Sequence, residues 1–88
     1  MEIQDTFFWN RPTYKTEAMY HIVIRGEVTD SLMHIVDSLQ MRREAKEDMI
    51  SLIGWLPDQS SLIGLLNGLN NIRQEIISVR IISTSTNN

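Results

Sequence analysis

Gly54-Trp55-Leu56-Pro57-Asp58-Gln59-Ser60-Ser61-Leu62-Ile63-Gly64-Leu65-Leu66 holds the end of a strand, a turn and the start of a helix. Upstream of it, residues 49–56 alternate as a strand does. Ile50, Leu52, Gly54 and Leu56 fall on one face, and Met49, Ser51, Ile53 and Trp55 on the other. Both sets are largely apolar, which predicts a strand covered on both sides. Pro57 stops the strand, and Asp58 is the natural N-cap of the next helix. Downstream, Leu62, Leu65, Leu66, Leu69 and Ile72 make one helical stripe. Gly64 and Gly68 lie on another strip of the same helix. Each costs ~1 kcal/mol against alanine inside a helix, so their presence predicts close backbone approach by a neighbour.

The flanking segments read as partners for this unit. Residues 20–26 alternate, with Tyr20, Ile22 and Ile24 on one face and His21, Val23 and Arg25 on the other, until Gly26 breaks the strand. Thr29 or Asp30 caps a short helix whose stripe is Leu32, Ile35, Val36 and Leu39. Residues 40–45 form a charged edge strand with Arg42, Arg43 and Glu44, and Lys46-Glu47-Asp48 the hairpin turn after it. Residues 75–83 form the last strand, with Ile77, Val79 and Ile81 opposite Ile76, Ser78, Arg80 and Ile82. The order is β-α-β-β-α-β. That predicts an α+β, ferredoxin-like domain: a four-stranded antiparallel sheet with two helices on one face.

The domain is expected over residues 19–83. Residues 1–18 keep neither a helical nor a strand period and read as a flexible tail. They hold Phe7, Phe8, Trp9 and Tyr14, and the triplet Phe7-Phe8-Trp9 could dock on the domain or on a partner. Residues 84–88 are polar and read as a disordered end.

Composition narrows the function. With 88 residues there is room for one small core, which dimerisation would strengthen. A net charge of −3 and no basic run argue against nucleic acid as a partner. The absence of cysteine excludes disulfides, zinc-thiolate sites and a cysteine nucleophile, and is compatible with the cytoplasm. No apolar run approaches the ~20 residues that span a bilayer, so no membrane partner is expected. The acidic start, Met1-Glu2-Ile3-Gln4-Asp5, is not expected to act as a secretory signal.

The chain resembles a family of short, uncharacterised bacterial proteins with a ferredoxin-like fold. The resemblance rests on Arg25-Gly26, on the Gly-x-x-x-Asp-Gln-x-x-Leu-x-Gly-Leu-Leu pattern from Gly54 to Leu66, on Leu69, and on Ile77-Ser78-Val79. It covers about residues 20 to 82. The first helix departs from the family pattern, carrying Leu32, Met33 and Ile35 where tryptophans are usual. The resemblance implies a fold and no activity.

No catalytic residue, metal site or cofactor is expected. His21 and His34 stand apart, with no second ligand at metal spacing. Asp58 reads as a helix cap and not as an acid. The informative feature is the second sheet face, expected to carry Val23, Met49, Ile53, Trp55, Ile76 and Ile82 among His21, Arg25, Ser51, Ser78 and Arg80. So much apolar surface predicts a cover. A homodimer through the sheet face or an edge strand comes first, as a non-enzymatic interaction module. The alternative is a dimeric, barrel-like ligand binder or weak enzyme, with the ligand near His21, Arg25 and Trp55 and its anionic group on Arg25 and Arg80. An unidentified protein partner remains open.

Overall fold

A computed structural model describes residues 2–3, 17–44 and 48–84. The elements are β1 (Glu2–Ile3), β2 (Ala18–Arg25), α1 (Asp30–Ile35), β3 (Gln40–Arg43), β4 (Met49–Leu56), α2 (Gln59–Asn71) and β5 (Glu75–Thr84). Four strands form an antiparallel sheet in the order β5-β2-β4-β3, and β1 adds to the outer edge of β5 in parallel. The α+β class, the antiparallel sheet and the two helices are as expected. Phe7, Phe8 and Trp9 lie outside the described residues, as do most of the β3–β4 turn and residues 85–88.

Alternation builds the core. On β2, Ala18, Tyr20, Ile22 and Ile24 are buried, and each residue between them is half-buried. Across the ladder, Ile22 faces Leu52 on β4 and Val79 on β5, and Ile24 faces Ile50 and Ile76. This face receives Leu32 and Val36 from the α1 region and Leu62 and Leu69 from α2, all in one hydrophobic cluster. Seven large side chains, among them Ile22, Leu52 and Leu69, are less than 2% exposed. Burial of that order is worth ~1.5–3 kcal/mol per side chain.

The helices start at the N-caps expected from the sequence. Thr29 Oγ1 accepts from the Leu32 amide at 3.1 Å, which decides between Thr29 and Asp30. Asp58 Oδ1 accepts from the Ser61 amide at 2.8 Å. α2 closes with the Arg73 amide donating to Asn70 O and the Gln74 amide to Leu69 O, while Arg73 takes φ +65°. That is a Schellman ending, with arginine at the position where glycine is commonest. Gly54 leaves room for Leu39, whose side chain fills the place a Cβ would take. Gly26 does the same for the buried Gln74, which also donates through Nε2 to Glu27 O at 2.8 Å.

Three expectations are corrected. The segment 1–18 is not wholly outside the fold: Glu2 and Ile3 pair with Ser78 and Val79, and Ala18 is a buried residue of β2. Backbone groups on the outer side of β5 would otherwise lack a strand partner there. At the other end Thr84, assigned to the disordered tail, belongs to β5 opposite Ala18. The faces of β5 also change. Its register skips Ile77 and Ile82, so two β-bulges interrupt the alternation. Ile76 is thereby carried to the helix-covered face opposite Ile24, and Ile82 lies in an irregular position, 46% exposed.

Candidate functional site

The face of the sheet away from the helices gathers all six residues singled out as a site. His21, Val23 and Arg25 alternate with the core residues of β2. Ile53 on β4 and Arg80 on β5 stand on either side of His21. Trp55 lies two residues beyond Ile53, opposite Met19. Met19 joins this face because β2 begins earlier than its alternation suggested, and Ile76 leaves it because of the bulge. Met19, Val23, Met49 and Ile53 are half-buried, and Trp55 is 40% exposed. Toward one end of the face, Arg25 forms a 3.2 Å ion pair with Glu75. Exposed, this pair contributes little to stability.

A polar row crosses the face. Ser51 Oγ donates to Glu44 Oε2 at 3.0 Å, His21 Nε2 lies 3.2 Å from Ser51 Oγ, and Arg80 Nη2 lies 3.1 Å from His21 Nδ1. Sequence reasoning put Ser51 on this face without a role and read Glu44 only as an edge-strand charge. Ser51 looks like one polar break in an apolar strand, and Glu44 comes from just beyond β3. Only the register brings them beside His21.

The chemistry of the two ends fixes the middle. Arginine has donors and no acceptor, so His21 Nδ1 must accept. A carboxylate accepts only, so the Ser51 hydroxyl donates to Glu44 and its oxygen is left to accept from His21 Nε2–H. Both ends therefore demand the same neutral tautomer. The pKa of His21 is accordingly lowered from its ordinary value, first by burial and then by the positive charge of Arg80, with Glu44 opposing.

This direction bears on catalysis. A histidine that activates a serine offers it a lone pair, whereas His21 offers Ser51 an N–H, and Ser51 is only 7% exposed. The row is therefore not arranged as a serine nucleophile with its base. Among the described residues, no group of three or more His, Asp or Glu side chains could hold a metal ion. His34 is exposed in the last turn of α1, away from this row.

Beside the start of β3, Trp55 also borders an open cleft of about 580 Å³ with Ile35, Leu39, Leu56, Pro57 and Gly64. A Cβ on Gly68 would stand 3.5 Å from the Ile35 side chain, ordinary van der Waals spacing, so the close backbone approach expected there is not required. Nor is it at Gly64, where a Cβ would meet nothing within 4 Å. Its open strip faces this cleft and no neighbouring backbone.

Among the described residues no helix is long and apolar enough to cross a membrane. A family model, described as Domain of unknown function (DUF8691), matches residues 19–80. No curated protein and no solved structure matches the chain.

Proposed function

The chain belongs to that family, DUF8691, and we propose that it works as a small non-enzymatic interaction module in which two copies pair through the open sheet face. The observation that carries this reading is the apolar set on one side of the sheet: Met19, Val23, Met49, Ile53 and Trp55, none of them fully buried within the chain. The sheet edges are poor alternatives. The outer edge of β5 is occupied at Ser78 and Val79 by β1 and bent by its two bulges. The opposite edge, β3, is four residues long and carries Arg42 and Arg43. Short, charged or bulged edges discourage strand addition. We read the four-stranded order β5-β2-β4-β3, with a helix after β2 and another after β4, as ferredoxin-like. In that arrangement the helices cover one face and leave the other for a partner.

The test is sedimentation of the untagged full chain at micromolar concentration, beside the Ile53→Lys variant. A dimer for the natural sequence and a folded monomer for the variant are expected. A natural chain that stays monomeric across that range overturns the pairing.

A second reading is favoured by one observation, the placement of Arg80. Its guanidinium is exposed on the face and touches a histidine that can take up a proton. This reading makes the face a small-ligand site near His21, Arg25 and Trp55, with the anionic part of the ligand on the arginines.

A further inference from the structure

We propose that His21 and Arg80 form a proton-coupled site for a small oxyanion, a carboxylate or a tetrahedral anion, held in place by Ser51 and Glu44. The proposal deepens the ligand reading and rests on it. It does not require two copies to pair.

In the neutral state the site is closed to an anion. The Nδ1 lone pair of His21 holds one donor of Arg80, so an anion that drew Arg80 away would face that lone pair. Protonation at Nδ1 reverses this. The nitrogen becomes a donor and can no longer accept from Arg80, so the guanidinium must turn. Two cationic donors then stand side by side, with parent atoms 3.1 Å apart before any movement. Adjacent donors of this kind grip two oxygens of one anion, as in bidentate recognition of carboxylate and phosphate. The proton comes from solvent, one per anion bound.

The rest of the row is built to survive the change. His21 Nε2–H donates to Ser51 Oγ, and Ser51 donates to Glu44, in both protonation states of the ring. Only the contact at Nδ1 switches. Glu44, at the far end, supplies negative charge behind the imidazolium that forms. Among the described residues, the other charged groups on this face of the sheet are Arg42, across from Ser51, and the Arg25–Glu75 pair, across from each other at the end of β2. The balance around His21 is thus one contacting cation and one carboxylate held through Ser51.

Sulfate is the probe, because its charge is constant from pH 5 to 8. Its binding is followed by the side-chain NMR signals of His21 and Arg80 in the full chain. Once His21 is mostly neutral, affinity is expected to fall by up to about tenfold per pH unit, the limit for one linked proton. His21→Gln keeps a group that can accept from Arg80 and donate to Ser51 but takes up no proton, so its affinity should be weak and flat with pH. Arg80→Gln, at an exposed position, should abolish binding while leaving the fold intact. Equal affinity for sulfate at both ends of the pH range overturns the proton coupling and leaves the ligand reading standing. No perturbation of His21 or Arg80 at pH 5 overturns both. Binding that survives in Arg80→Gln also overturns the site.

Discussion

The two faces of one sheet differ in how each was finished. On the helix side, neighbouring strands present Ile22, Leu52 and Val79 in register, and α1 and α2 seal them completely. On the other side, the same strands present Ile53, His21 and Arg80 in register, and a polar row threads between apolar side chains. The first face is closed by its own chain and serves stability. The second keeps large side chains half-covered, a state that costs a small domain something unless a partner or ligand completes it.

Leu52 and Ile53 are adjacent on β4 and point to opposite faces, so they give the sharpest contrast. Leu52→Ala should cost about 2–5 kcal/mol in urea unfolding, as expected for a fully buried leucine. Ile53→Ala should cost under about 1.5 kcal/mol in dilute solution, with any larger loss appearing only where the protein self-associates. Equal costs in dilute solution would erase the distinction between the faces.

Glycines sharpen it next. Gly54→Ala should destabilise by about 1–3 kcal/mol, because the new methyl takes the place of the Leu39 side chain and comes within 3.3 Å of its Cα. Gly64→Ala meets nothing and should stabilise by ~1 kcal/mol. Thermal unfolding of the pair should therefore show shifts of opposite sign.

The smallest effect concerns pH. His21 has a folded pKa below its ordinary 6.5, so the unfolded chain binds more protons as acid is added. The stability contributed by neutral His21 is present above pH 6.5 and is lost as pH falls toward the lowered folded value. In unfolding measured from pH 8 to pH 5, that component should vanish in His21→Gln. A profile identical in the two proteins would mean that the ring is not held neutral.

Much of this architecture was legible from alternation and caps. β2, β4 and α2 follow from the spacing of apolar residues, and Asp58 caps α2 as its place after Pro57 suggests. The bulges were not legible. Glu75 to Ser83 reads as unbroken alternation, and nothing local marks Ile77 or Ile82 as residues the register will skip. The face was predicted through His21, Arg25 and Arg80, but its wiring was not. Glu44, Ser51, His21 and Arg80 come from four separate stretches of chain, and only pairing sets their order. Gly64 misled for the opposite reason: its spacing from Gly68 implied a shared neighbour, and only Gly68 has one.

The position of β2 has a consequence for how the chain is made. This strand is central in the sheet, yet both its neighbours, β4 and β5, come later in the sequence, and β5 ends at Thr84. During synthesis β2 emerges before either of its neighbours, and β3 and β4 can close as a hairpin beside it while β5 is still to come. The strand stays unpaired on one side until β5 has emerged, so the sheet closes only when its last strand is available.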